Sequence, residues 1–447
     1  MQKKHIIDNI DDHGNRQVSI GDDSLLDWNE RDLSNEFVET DQKSPGIDKP
    51  LLVITLVILL IGIIMVLSAS FARGYYTSSE PLRLFIRQFV FAVSGVALML
   101  ITSRVNVRTI SRWSMQLLLI SIVLLVLVLM IGLKLNGARR WIGVGGENSS
   151  LTFQPSEVAK LAIILAFAQM SCKLGKERMK SFKFGVFPFA IVTGVIIVLL
   201  RLEPHLSAII IVTALTAIMM FAGGTRLRWF LLAVTILAAM IGGLIYFQLR
   251  AAAPGIEISD VSVETIRSNM DFSGLGYEGR RINAWLNPDD DPLHDGFQIR
   301  QSLNAVGSGG LLGQGLGQSR QKHLYLPEEH NDYIFAIVCE ELGFIGAMLV
   351  LMLFVLLIIR GYWLAINARD KFGSLIVIGI TSLLALQVFL NVAVVTNLLP
   401  ATGISLPFFS SGGTALWIQL VQIGIILAVS REIPPATEKG GRRELRG

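Results

Sequence analysis

About ten separate runs of roughly twenty apolar residues recur along this chain, and no other feature restricts its fold so strongly. They lie near 50–70, 85–103, 113–133, 156–172, 185–200, 206–223, 228–248, 332–360, 373–397 and 410–430. In hydrocarbon no water is available to bond the peptide groups, so each run must close its hydrogen bonds internally, as a helix. Composition agrees. Of the 447 residues 52% are hydrophobic and only 17% charged, against about 25% charged in an ordinary soluble domain. The expected fold is an all-α integral membrane protein of about ten transmembrane helices. A large extracytoplasmic loop, 249–331, separates spans seven and eight.

Charge sets the expected orientation. Alternating the loops between two sides gathers Arg104, Arg108, Arg112, Lys173, Lys176, Arg178, Lys180, Lys183, Arg226, Arg228, Arg360, Arg369 and Lys371 on one side. By the positive-inside rule that side is cytoplasmic, and both termini fall there. The net charge of +4 hides a split, because residues 1–48 hold 12 acids against 5 bases. This stretch is polar and without sustained periodicity, and is expected to be a disordered acidic cytoplasmic tail. A membrane domain should then fill 49–431 and a short cytoplasmic tail 432–447. No basic start runs straight into an apolar stretch, so no secretory signal is expected. The basic loops suit anionic lipid headgroups rather than nucleic acid. Cys172 and Cys339 are too few and too far apart for a disulfide framework or a zinc site.

Several polar stretches interrupt this pattern on the opposite side. In "LTFQPSEVAKLAIILAF", from Leu151, Pro155 suits the first turn of a helix and Glu157 and Lys160 share one face. Such a pair could steady the bundle or work in a water-filled cavity, and both readings stand on these residues alone. In "NGARRWIGVGG", Arg139 and Arg140 beside Trp141 could grip a diphosphate through guanidinium forks or anchor on headgroups. "RLEPHLSA" places Glu203, Pro204 and His205 at a tight outer turn. The glycines Gly307, Gly309, Gly310, Gly313, Gly315 and Gly317 fit neither a dinucleotide nor a Walker pattern; they would permit close approach of a ligand. Glu328, Glu329, His330 and Asp332 stand at the mouth of the eighth span without a diagnostic metal spacing, and Glu340 and Glu341 enter it. The uncharged "NLLPATGISLPFFSSGGTALW", from Asn397, should shape the floor or wall of a cavity. "WLNPDDDPLHDGFQIRQS" carries Asp289, Asp290, Asp291 and Asp295, which could be no more than a solvated acidic loop.

Together "NGARRWI", "FQPSEVAKL", "GFQIRQSLNAVGSGGLLGQGLGQSRQKHLYLPEEHNDYIFAIVCEELG" and "LLPATGISLPFFSSGGTAL" resemble the SEDS family (shape, elongation, division and sporulation), over about 50–431. The 322–332 wording, the "SLPFFSSGG" run and the long amino-terminal tail are more similar to its FtsW and sporulation branches than to RodA. The resemblance implies a ten-span peptidoglycan glycosyltransferase that polymerises lipid II at the outer face of the bacterial cytoplasmic membrane. It also implies a role in septal synthesis, with a class B penicillin-binding protein and other divisome proteins as partners. The family's key aspartate precedes a proline in the large loop, which aligns with Asp291. Phe297 replaces the usual tyrosine, and "RLEPHLSA" stands where relatives read like "QPDLG", with His205 in place of the acid and Ser207 of the glycine.

Polymerisation needs a base on a weakly acidic sugar hydroxyl and positive charge beside a departing diphosphate. Asp291 fits the base, with Asp289 and Asp290 as like-charged neighbours that raise its basicity. Direct displacement with one base should invert the donor linkage. Arg139, Arg140 and Lys160 are candidates for the diphosphate, with Glu157 orienting Lys160. The resemblance adds Gln301, Ser302, Lys322, Glu328 and His330 as substrate-binding candidates. A divalent cation, Mg or Mn, is expected to help, with Asp289, Asp290 or Glu328 as possible ligands, and Asp295 to shape the turn. Two other functions fit the same residues: a lipid II flippase and a non-catalytic scaffold that recruits a penicillin-binding protein.

Overall fold

The structure, a computed structural model, describes residues 8–10, 16–18, 46–77, 82–135, 138–144, 151–252, 272, 277–289, 295–323, 325–327, 329–410 and 412–433. The chain divides into two units, Met1–Ser44 and Pro45–Gly447. In the first, β1 (Asp8–Ile10) pairs antiparallel with β2 (Arg16–Val18), Asn9 opposite Gln17. Most of the expected disordered tail lies outside the described residues.

The second unit is a helical bundle. In chain order it comprises α1 (Lys49–Thr77), α2 (Arg83–Thr102), α3 (Val107–Ile131), a small sheet of β3 (Leu133–Leu135), β4 (Ala138–Val144) and β5 (Leu151–Phe153), then α4 (Pro155–Met179) and the one-turn α5 (Phe182–Gly185). There follow α6 (Phe187–Leu202), α7 (Leu206–Gly223), α8 (Leu227–Ala252), α9 (Tyr277–Leu286), α10 (Asp295–Ser308), α11 (Ile334–Asn367), α12 (Lys371–Val395) and α13 (Gly413–Ser430). Nine of the described helices are long and apolar enough to cross a membrane. The expected seventh span coincides with α8, whose apolar portion, Leu227–Met240, is shorter than the rest. The chain is therefore a multi-pass membrane protein. The large loop contains two further helices, α9 and α10, which were not among the expected elements.

The bundle is inverted relative to a soluble core. Val93, Met130, Val234 and Leu349 are more than half exposed on its flanks, where a soluble protein would not leave so much contiguous apolar surface. Inside, α4, α12 and α13 are the most enclosed spans. Small residues bring them together, as expected where lipid removes the hydrophobic drive between helices. A Cβ on Gly424 of α13 would lie 2.6 Å from the Met99 carbonyl of α2, and one on Gly379 of α12 would lie 2.5 Å from Ile164 of α4. The small sheet then closes one end of the bundle. Antiparallel pairing sets Ile142 opposite Phe153 and carries β5 directly into α4.

Candidate active site

A cavity of about 600 Å³ opens at the end of the bundle where α2, α4, α7, α11 and α13 begin. Helix N-termini present unpaired N–H groups and a partial positive charge, so their convergence favours an anion. Side chains strengthen the field, since Arg87, Arg140, Lys160 and Arg281 all line the cavity. The acids beside them are Glu157, Asp295 and Asp332.

Each position follows from local structure. Pro155 and Glu157 occupy the first turn of α4, and Glu157 forms a buried ion pair of 2.7 Å with Lys160, three positions on. Lys160 is held at the cavity wall by that carboxylate. In β4 successive side chains alternate faces. Arg140 faces the cavity, while Arg139 is exposed and donates to the Leu129 carbonyl at the end of α3, 3.2 Å away. Arg139, expected to grip the diphosphate with its neighbour, is thus not among the lining residues. The Arg140 guanidinium is fixed by the turn before α7, with Nε donating to the Glu203 carbonyl at 3.4 Å and Nη2 to the Pro204 carbonyl.

That turn also contributes His205, whose Nε2 lies 3.5 Å from Gln154 Nε2 and whose Nδ1 is buried without a hydrogen-bond partner. Burial first, then the positive charges of Arg140 and Lys160, push its pKa down to about 3, so it is neutral and acts only through hydrogen bonds. The Glu203 carboxyl is buried with both oxygens unpartnered. Burial raises its pKa to about 8, against the opposing pull of Arg140, so it is mainly protonated at neutral pH.

Of the large-loop candidates, His330 lines the cavity, its Nδ1 3.6 Å from Glu329 Oε1. Asp295 does more than shape a turn, because it opens α10, lines the cavity and lies 4.0 Å from Arg281 Nε. Arg281 in turn donates to the Ala401 carbonyl at 2.9 Å, and Ala401, Gly403, Ile404 and Ser405 form part of the wall. Gly403 adopts φ +74°, and a Cβ there would meet Asp332 Oδ2 at 3.3 Å.

Three candidates are used elsewhere. Ser302 is buried and donates to the Val395 carbonyl at 2.8 Å, fastening α10 to α12. Gln301 accepts from Asn304 Nδ2 at 3.4 Å and does not line the cavity. Lys322 is buried against Glu341, 2.9 Å away, with Ser68 Oγ bridging them. Glu340 receives Ser319 Oγ at 2.5 Å and the Arg320 N–H at 2.9 Å. The glycine-rich run is part of the same clasp. Gln314 and Gly315 N–H groups donate to the Glu340 and Glu341 carbonyls, and a Cβ on Gly313 would lie 2.2 Å from the latter. Its glycines admit the backbone of α11, where a ligand had been expected.

Asp289 is exposed and pairs with Arg300 at 3.3 Å. Asp290, Asp291 and Glu328 lie outside the described residues. Among the described residues no three His, Cys, Asp or Glu side chains converge as a metal site. Arg87 and Arg281 were missed as site residues, although an arginine within the first turns of an apolar span was itself a signal in the case of Arg87.

Residues 49–434 match the Cell cycle protein family, FtsW/RodA/SpoVE. The chain is 40% identical over 394 residues to "Stage V sporulation protein E" of Bacillus subtilis, covering 88% of this chain and 98% of that protein. It is 36% identical over 399 residues to "Probable peptidoglycan glycosyltransferase FtsW" of Trichlorobacter lovleyi, covering 88% and 96%. Among solved structures it is similar to a chain from a peptidoglycan synthase complex that coordinates polymerization and crosslinking, with TM-score 0.67, 26% identity, and coverage of 86% and 98%.

Proposed function

Because this chain belongs to the FtsW/RodA/SpoVE family of cell cycle proteins, we propose that it is a peptidoglycan glycosyltransferase that polymerises lipid II in the cavity described above. The cavity then faces the outer leaflet, both termini are cytoplasmic, and the product serves the septal wall. The observation that carries this reading is the gathering of Arg87, Arg140, Lys160 and Arg281 at one end of the bundle. Between Lys160 and Lys173 in α4, between Glu341 and Arg360 in α11, and throughout α7 and α13 no charged residue occurs. A flippase needs a polar path across the membrane, whereas a polymerase needs charge only where the diphosphate leaves.

The residues suit the chemistry in order. A cavity of about 600 Å³ is of the size that encloses small ligands, about 300–1,000 Å³. The acceptor hydroxyl attacks the anomeric carbon of the donor, its proton passes to the base, and the bond to the diphosphate breaks. Asp291 is the proposed base. Asp295, four positions along in the sequence, lines the cavity, which supports that reading. Arg140 and Lys160 receive the negative charge that grows on the leaving oxygen, already oriented by the Glu203 and Pro204 carbonyls and by Glu157. Such fixed cations need no reorganisation as the charge develops. Neutral His205 and the Gln154 amide offer hydrogen bonds to sugar hydroxyls. A divalent cation stays within the proposal, with Asp290 and Glu328 as candidate ligands. The described residues alone do not compose such a site, and no step above passes through one.

A class B penicillin-binding protein is the proposed partner, alongside other divisome proteins, and likeness to a chain of a synthase complex that couples polymerization to crosslinking supports it. The test is polymerisation of purified lipid II by the chain with its cognate partner. Wild type should give glycan strands and Asp291→Asn none. Equal yields from both would remove Asp291 as the base. Movement of labelled lipid II across vesicles without any polymer would favour the transporter.

A further inference from the structure

A second cavity, of about 390 Å³, lies at the opposite end of the bundle and is lined by Ile47, Leu100, Ser103, Arg104 and Arg431. Three elements meet there: the entry to α1, the end of α2 and the end of α13. Asp48 pins the first of these. Its N–H donates to Ser430 Oγ at 3.1 Å, its carboxylate caps the Leu51 N–H at 2.9 Å, and Arg360 grips both carboxylate oxygens. The two arginines come from the other elements. Arg431 follows the last residue of α13 and spends Nη1 on the Ser103 carbonyl, 3.2 Å away. A guanidinium has five N–H donors, so most of its hydrogen-bonding capacity is left over. Arg104 stands two residues beyond α2, with its side chain exposed.

Their surroundings are lopsided. At the same end Arg360 is matched by Asp48 and Lys180 by Glu177. Neither Arg104 nor Arg431 is ion-paired with a described carboxylate, and no acid lines the cavity. Beside the charged mouth the wall is apolar, with Leu100 40% and Ile101 62% exposed along the flank of α2. Unmatched guanidiniums beside a lipid-facing strip fit a molecule with an anionic head and a hydrocarbon body.

We propose that this cavity binds the phosphodiester headgroup of an anionic phospholipid, with its acyl chain along Leu100 and Ile101. Basic pockets between spans at the cytoplasmic ends of helices are suited to such headgroups. Arginine forks match phosphate oxygens two at a time. Both guanidiniums also sit just past helix C-termini, whose carbonyl charge helps hold them in place when the site is empty of lipid. Only the choice of leaflet rests on the topology proposed above; the site is independent of the polymerase reading.

The test is retention of phosphatidylglycerol against phosphatidylcholine by the purified full-length chain, followed by native mass spectrometry. Each arginine should contribute about 1 kcal/mol, so Arg104→Gln with Arg431→Gln should weaken phosphatidylglycerol about thirtyfold. Arg226→Gln with Arg228→Gln, exposed cations at the same end, should leave it unchanged. If the pocket pair does not fold, Arg104→Gln alone should still lose about fivefold. Equal losses in both pairs would replace the site with diffuse surface attraction. Displacement of the lipid by inorganic phosphate at the same concentration would overturn it in favour of a free-phosphate site.

Discussion

Glu203 and His205 flank one proline, yet burial drives their protonation in opposite senses. Glu203 titrates at about 8 in place of 4.5, so the folded chain holds a proton that the unfolded chain releases. Stability from this group falls as pH rises from about 4.5 to 8, by up to about 1.4 kcal/mol per pH unit. His205 titrates at about 3 in place of 6.5, so the unfolded chain binds the extra proton. Its contribution is complete above 6.5 and is lost as pH falls towards 3. The slopes cancel between about 4.5 and 6.5, giving a plateau with a decline on the alkaline side up to about 8. Thermal unfolding midpoints in micelles across pH should show this shape, and Glu203→Gln should abolish the alkaline decline. An unchanged decline in that variant would assign it to another group. The turn's two carbonyls accept hydrogen bonds from Arg140, so the turn holds the guanidinium through its backbone whatever side chain stands at 205.

Among the elements, the clasp between the 309–322 segment and α11 decides what Lys322 does. Its ammonium is buried between Glu341 and Ser68, away from the lining of the proposed active-site cavity. Removing one partner of a buried pair costs about 3–5 kcal/mol, whereas replacing both by apolar groups can be neutral. Lys322→Met should therefore lower the unfolding midpoint, and Lys322→Met with Glu341→Leu should restore both the midpoint and polymerisation. Loss of activity in a stable double variant would return Lys322 to the substrate. Sequence could not distinguish these roles. A lysine and two acids within twenty positions look alike whether they face a ligand or one another, and only the fold of the 314–322 segment back onto the start of α11, where the Gln314, Gly315 and Arg320 N–H groups bond Glu340 and Glu341, brings them together. The spans were legible because hydrocarbon length and backbone satisfaction leave few alternatives. Helices α9 and α10 were not, since at ten and fourteen residues both fall well short of the length that hydrocarbon imposes, although α9 is strongly amphipathic.

At the scale of the whole molecule, charge lies at the two ends and the middle is left to packing. The amino-terminal ends of five helices, the β4 strand and residues from the 401–415 segment line the proposed active-site cavity, while the α1, α2 and α13 ends line the proposed lipid site. Glu157 and Lys160 were readable as a pair from their spacing, and Arg139 and Arg140 as a doublet. What separates the doublet is strand alternation in β4, which a run of two arginines does not reveal. That separation gives the most direct test of the cavity as the site of polymerisation: initial rates on purified lipid II, with the partner present, for Arg140→Gln and Arg139→Gln side by side. Loss of one fixed donor to a developing anion costs about a hundredfold or more, so Arg140→Gln should fall by about that factor while Arg139→Gln stays close to wild type. Equal losses from the two variants, or full activity in Arg140→Gln, would contradict the assignment.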